Sequence, residues 1–83
     1  MNTMMNALYA DGQGKDVTGV YADQPFMGVV TRVRPTFGGG LNVYIKLEEQ
    51  IDVDGDLRDS LVIDGAGFHN GHDGVATNLH IYL

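Results

Sequence analysis

The chain has 83 residues and no cysteine, so we expect one domain without disulfide bonds or thiolate metal sites. Eleven acidic residues against five basic ones give a formal net charge of −6, which disfavours nonspecific binding to nucleic acid. A domain this small has a limited hydrophobic core, and oligomerisation is a common way to add stability. We therefore expect a homo-oligomer.

The beginning of the chain has the weakest pattern, which predicts an N-terminal arm (residues 1–16) followed by a single β domain (residues 17–83). Within the arm, Met5, Leu8 and Tyr9 have the spacing of one helical face, so a short helix is expected. No basic residue precedes an apolar run, and no stretch approaches the roughly 18 apolar residues needed to cross a bilayer. We expect no membrane association and a cytoplasmic location.

The rest of the chain alternates short segments rich in Val, Ile, Tyr and Phe with glycine-rich or acidic breaks, as β proteins do. About six short strands are predicted, at residues 17–22, 26–34, 41–47, 51–53, 57–63 and 77–83. No segment is long enough for a crossover helix. The sequence therefore predicts an all-β fold, a small antiparallel barrel or sandwich of SH3-like or OB-like size.

The second strand and the turn after it form the first candidate site. Regular alternation places Arg32 and Arg34 on the same face as Phe26, and their guanidinium groups suit phosphate or carboxylate. The turn adds an aromatic ring and open backbone donors through Phe37, Gly38, Gly39 and Gly40. This pattern predicts a site for a small anionic, nucleotide-like ligand. The glycines lack a Walker lysine and a following helix, so they are not a P-loop.

A structural explanation of the same residues stays open. The two arginines could pair with the acidic hairpin around Asp54-Gly55, of the same domain or of a neighbour, and the glycines could serve only the turn.

Acidic residues dominate the next segment and form the second candidate site. The turn signal Asp54-Gly55 predicts a hairpin. We prefer a three-residue loop that pairs Val53 with Leu57, because a two-residue loop sets Leu57 opposite Asp52 and mixes the two faces. The carboxylates predicted to bind a partner protein are Glu48, Glu49, Asp52, Asp54, Asp56 and Asp59.

A calcium site at this hairpin is disfavoured. An EF-hand loop that begins at Asp52 needs glycine at its sixth position and glutamate at its twelfth, where Leu57 and Ile63 stand. A solvated acidic hairpin is the simpler interpretation.

Residues 64–76 are expected to form a long glycine-rich loop. The loop contains His69, His72 and Asp73, which are donors that zinc accepts, but their spacing matches no zinc motif. We therefore predict neither a metal nor a cofactor. The only serine, Ser60, lies in a predicted strand, so we expect no enzyme; a hydrolase centred on His72 is the catalytic alternative.

Residues 21–63 contain a spacing of apolar, acidic and basic residues that resembles small uncharacterised proteins carried by bacteriophages and other mobile elements. The matching positions are Tyr21, Phe26 to Val30, Arg32, Leu47-Glu48, Ile51 to Gly55 and Arg58. The resemblance includes no diagnostic motif, so it assigns no functional residue. It implies a small accessory protein that acts inside a bacterium by binding a host component or joining an assembly.

Three functions are consistent with these patterns. The first is stoichiometric binding, either inhibition of a host protein through the acidic hairpin or sequestration of an anionic ligand beside Arg32 and Arg34. The second is a structural role in a virion or filament, which would place the protein in the virion instead of the cytoplasm of the bacterial host. The third, binding of single-stranded nucleic acid, is disfavoured by the charge of −6.

Overall fold

A computed structural model describes the backbone of residues 3–83 and the side chains from residue 6 onward. The elements in chain order are α1 (Thr3–Asp11), β1 (Asp16–Tyr21), β2 (Gln24–Pro35), β3 (Leu41–Val53), β4 (Asp56–Asp64), α2 (Gly65–Asn70) and β5 (Ala76–Ile81). The predicted antiparallel β fold and the short N-terminal helix are confirmed. The described residues contain five strands, because the segments predicted at 41–47 and 51–53 are one continuous strand.

All five strands lie in one antiparallel sheet with the order β4-β3-β2-β1-β5. The first four form a meander, and β5 returns to pair with β1, as in a Greek key. The sheet is not closed, because β4 and β5 form its two edges. Neither helix in the part of the chain described is long and apolar enough to cross a membrane.

The two helices cover one face of the sheet, and the core lies beneath them. Leu8 of α1 and Phe68 of α2 contribute from the helices, and both are buried. The strands contribute Val17, Phe26, Val30, Leu41, Val43, Ile45, Leu47, Ile51, Leu61, Ile63, Ala76, Leu79 and Ile81. We call the opposite face of the sheet, which neither helix covers, the outer face.

The segment predicted as a loop at 64–76 contains helix α2, so that prediction was wrong. Its start is fixed by Asp64, whose side chain accepts a hydrogen bond from the Ala66 N–H at 3.0 Å. Its end is fixed by Gly71, which has φ of 87° and donates to the Gly67 carbonyl. Such a short helix is stabilised mainly by tertiary packing, here the burial of Phe68.

Strand β2 contains a bulge that reverses its faces. Val30 pairs with Ile45 and Arg32 pairs with Tyr44, so Thr31 is an extra residue. Before the bulge, alternate residues from Phe26 to Val30 point into the core. After it, Val33 packs against the core, and the two arginines are exposed. The prediction that Arg32 and Arg34 share a face with Phe26 was therefore wrong.

The turn between β3 and β4 also differs from the preferred prediction. Val53 pairs with Asp56, so the loop has only two residues, Asp54 and Gly55, with φ values of 52° and 84°. Positive φ at both positions is the type I′ geometry that matches the twist of a hairpin. The expected conflict between faces does not arise, because Leu57 and Asp52 both face solvent at this end of the sheet.

Candidate functional site

The acidic hairpin, defined here as residues 48–59, displays its carboxylates outward. The six predicted partner-binding residues Glu48, Glu49, Asp52, Asp54, Asp56 and Asp59 are all exposed. Two of them lie near cations: the Asp59 Oδ2 is 3.2 Å from the Lys46 Nζ, and the Asp56 Oδ2 is 3.5 Å from the Arg58 Nε. These surface pairs contribute little to stability, and the remaining carboxylates face solvent without a cation beside them in the part of the chain described.

The backbone of the acidic hairpin is held firmly. The Gln24 Nε2 donates to the Asp52 carbonyl, and the Asp52 N–H donates to the Gln24 Oε1 at 3.0 Å. The Asp52 carboxylate also accepts a hydrogen bond from the Gly55 N–H at 2.7 Å. From the same strand, Ile51 is buried and Val53 packs against the core. The surrounding carboxylates are therefore presented on an ordered scaffold.

Leu57 is an exposed apolar residue within this acidic surface. It is 64% exposed, lies between Asp56 and Arg58, and pairs with Asp52 across the hairpin. Leu57 was not among the predicted site residues, because the preferred three-residue loop paired it with Val53, which packs against the core. The Asp-Gly turn, which favours a two-residue loop, is the signal that could have found it.

A groove of about 450 Å³ runs beside the acidic hairpin, along β2. The buried residues Phe26 and Ile51 contribute to its lining, together with Met27. Glu48 and Glu49 also line it and are exposed. The groove therefore combines apolar surface with carboxylates.

The candidate ligand site forms a second, separate region, which we call the basic end. Arg32 and Arg34 are exposed, and neither forms an ion pair with any residue in the described part of the chain. The alternative prediction that these arginines pair with the acidic hairpin of their own domain is therefore wrong. The turn after them is open, since Phe37 is fully exposed and the space beside Gly38 and Gly39 is empty. The Thr36 N–H closes this turn by donating to the Gly40 carbonyl.

The acidic hairpin and the basic end lie at opposite ends of strand β3. The turn at 36–40 leads into the first residue of this 13-residue strand, and the acidic turn follows its last residue. The longest dimension of the molecule is 36 Å. The two predicted sites therefore do not combine into one.

The histidine segment is not brought together as a metal site. His69 and His72 are exposed, and the Asp73 Oδ1 accepts hydrogen bonds from the N–H groups of Val75 and Ala76. Within residues 3–83, no three histidine, aspartate or glutamate side chains are placed to hold one ion. Ser60 is exposed on β4 and pairs with Lys46.

The outer face carries exposed apolar side chains that were not among the predicted site residues. Met27, Val62 and Tyr82 are each more than half exposed, although they come from three different parts of the chain. A groove of about 540 Å³ is lined by Met27, Val29, Lys46 and Tyr82, among others. A smaller one of about 240 Å³ also includes Lys46. The signal for this apolar outer face in the sequence is the first half of β2, where successive positions are apolar and therefore both faces of the strand are.

Comparison of the chain with models of protein families, with curated proteins and with solved structures finds no match in any of the three.

Proposed function

We propose that this chain is a non-enzymatic binding protein that acts stoichiometrically, and that its acidic hairpin binds a basic surface of a partner protein. The observation that supports this most directly is Leu57, an exposed apolar residue surrounded by exposed carboxylates on an ordered hairpin. Protein interfaces typically combine a few apolar anchors with a polar rim. A prearranged backbone also lowers the entropy lost on binding.

The shape and charge of the groove beside the hairpin favour a partner with basic residues. The aliphatic part of a lysine or arginine side chain would lie against Met27 and Ile51, while its charged group would reach Glu48 or Glu49. Positive charge on the partner also speeds association with a surface of net negative charge.

Sequestration of a small anionic ligand has less support. Small-molecule sites usually enclose most of the ligand surface, whereas the basic end leaves Phe37 fully exposed and its glycines surrounded by open space. A ligand bound to Arg32 and Arg34 would remain largely in contact with water.

We further propose that the protein is an accessory protein of a bacteriophage or mobile element, and that its partner is a host component in the bacterial cytoplasm. This part of the proposal rests only on the spacing of residues within 21–63.

Substitutions on the acidic hairpin should weaken partner binding. We expect Leu57→Ser and Asp56→Lys each to lower affinity about tenfold or more, equivalent to about 1.4 kcal/mol, because they remove the anchor or reverse a rim charge. The partner would be captured from bacterial lysate on immobilised protein, identified by mass spectrometry, and its dissociation constant measured with each variant.

Two matched controls separate this effect from a general change in hydrophobicity or charge. Val75→Ser removes a valine that is 60% exposed outside the hairpin, and Asp11→Lys reverses an exposed charge on α1. Both should bind normally. Equal loss of affinity in the controls, or unchanged affinity in the hairpin variants, would refute the proposed site.

A structural subunit is the second candidate, because opposite charges lie at opposite ends of the molecule. Contact between the acidic hairpin of one copy and the basic end of the next is a head-to-tail arrangement, which forms open filaments unless it closes into a ring. If this is the function, concentrated protein at low salt should form filaments by electron microscopy, and Arg34→Glu should abolish them. A particle of fixed small size at all salt concentrations would exclude this candidate.

A further inference from the structure

Within residues 3–83, no helix covers the outer face of the sheet. Its centre is apolar, formed by Val29, Tyr44 and Val62, with Met27 and Tyr82 nearer one end. Lys46 adds a charge to this centre: its side chain is 60% exposed, and its Nζ lies 3.2 Å from the Asp59 Oδ2 at the edge of the patch. An apolar patch of this kind on a small protein commonly marks an interaction site.

The charges around this patch differ between its two ends. Asp16 and Glu48 lie toward the Met27 end, because Asp16 pairs with Val29 and position 48 follows the pairing of Leu47 with Gly28. Arg32 and Arg34 lie toward the other end, beyond the bulge in β2. The face is therefore acidic at one end, apolar in the middle and basic at the other end.

The distribution of charge on the outer face is self-complementary, so one copy can stack on a second copy with opposite charges in contact. Consider two copies whose outer faces are stacked, with a two-fold axis between them that is parallel to the sheets and perpendicular to the strands. This axis reverses the strand direction of one copy relative to the other. The Arg32 end of each copy then lies over the Asp16 end of its partner, and the two apolar centres meet. The same operation brings Lys46 over the partner's Tyr44, where an ammonium group and an aromatic ring attract each other.

We propose that the outer face is the interface of a symmetric dimer of this chain. The part of the face from residue 42 to 48 spans about 23 Å along β3, and four strands span about 19 Å across it. Two such faces bury roughly 900 Å², which corresponds to a weak, concentration-dependent dimer. Met27 and Glu48 belong both to this interface and to the groove beside the acidic hairpin, whereas Leu57 and the turn of the hairpin lie beyond the interface. Leu57→Ser therefore tests the proposed function and Val62→Lys tests the dimer, and the two proposals can fail separately.

Sedimentation equilibrium between 1 µM and 1 mM protein tests the dimer. We expect a monomer–dimer equilibrium with a dissociation constant in the micromolar range or above. Val62→Lys should raise this constant at least tenfold, because it places a charge in the apolar centre. Val75→Lys, on the connection between α2 and β5, is the matched control and should leave it unchanged; circular dichroism and thermal unfolding check that each variant is folded.

A charge exchange tests the orientation of the two copies. Arg32→Glu and Asp16→Arg should each weaken the dimer, and the double variant should restore it. Restoration supports the proposed axis. A protein that is monomeric up to 1 mM, that forms assemblies longer than a dimer, that responds equally to Val75→Lys, or whose double variant is weaker than both single ones would overturn the proposal.

Discussion

The variant Gly28→Ala is expected to lose about 3 kcal/mol of its free energy of unfolding, a large share of the stability of a small domain. A Cβ atom at Gly28 would lie 2.5 Å from the carbonyl oxygen of Lys46 and 2.7 Å from the Cγ2 of Ile45. The obstructing atoms include the backbone of the neighbouring strand, which cannot move without disturbing the pairing of Gly28 with Leu47. Urea denaturation followed by circular dichroism measures the loss.

Gly40→Ala is the matched control for this substitution. The nearest atom to a Cβ there is the hydroxyl oxygen of Thr36 at 2.9 Å, at the end of a side chain that can rotate. We expect a change of less than about 1 kcal/mol, as for most surface substitutions. If the Gly28→Ala protein is as stable as the wild type, β2 and β3 lie further apart at Gly28 than these distances indicate.

Alternation along a single strand was sufficient to predict the buried face of β3. Leu41, Val43, Ile45 and Leu47 occupy alternate positions of the strand predicted at residues 41–47, and all four are buried. In the strand predicted at residues 77–83, the alternate positions Leu79 and Ile81 are likewise buried, whereas Leu83 is 49% exposed because the strand ends at Ile81. The period of two is a local property of the chain, so it can be recognised without knowledge of the fold.

Features that depend on a neighbouring strand could not be predicted in the same way. The bulge at Thr31 is visible only when β2 and β3 are paired, and it decides which face Arg32 occupies. The outer face brings together Met27, Val62 and Tyr82, which are far apart in sequence. By contrast, the acidic hairpin is contiguous in the sequence, so its carboxylates could be listed from the sequence, and its Asp-Gly turn also carried the signal for the two-residue loop that leaves Leu57 exposed.

Phe68→Ala is expected to lower the free energy of unfolding by about 4 kcal/mol, as truncation of a buried aromatic side chain commonly does. Phe68 is 5% exposed and is the largest side chain that α2 buries. The helix contains glycine at positions 65 and 67, so its intrinsic tendency to form is low and it depends on this contact. Denaturation and hydrogen exchange of the α2 amides measure the two effects.

The control is His69→Ala, which changes the adjacent and exposed residue of the same helix and should alter stability by less than about 0.5 kcal/mol. The Leu79 N–H donates to the carbonyl of Gly71 at the end of α2, so loosening the helix should also raise hydrogen exchange in β5. If Phe68→Ala speeds exchange in α2 while β5 and the unfolding free energy stay unchanged, α2 is only attached to the surface. If all three change together, this short helix is part of the cooperative core that fixes β5 beside β1.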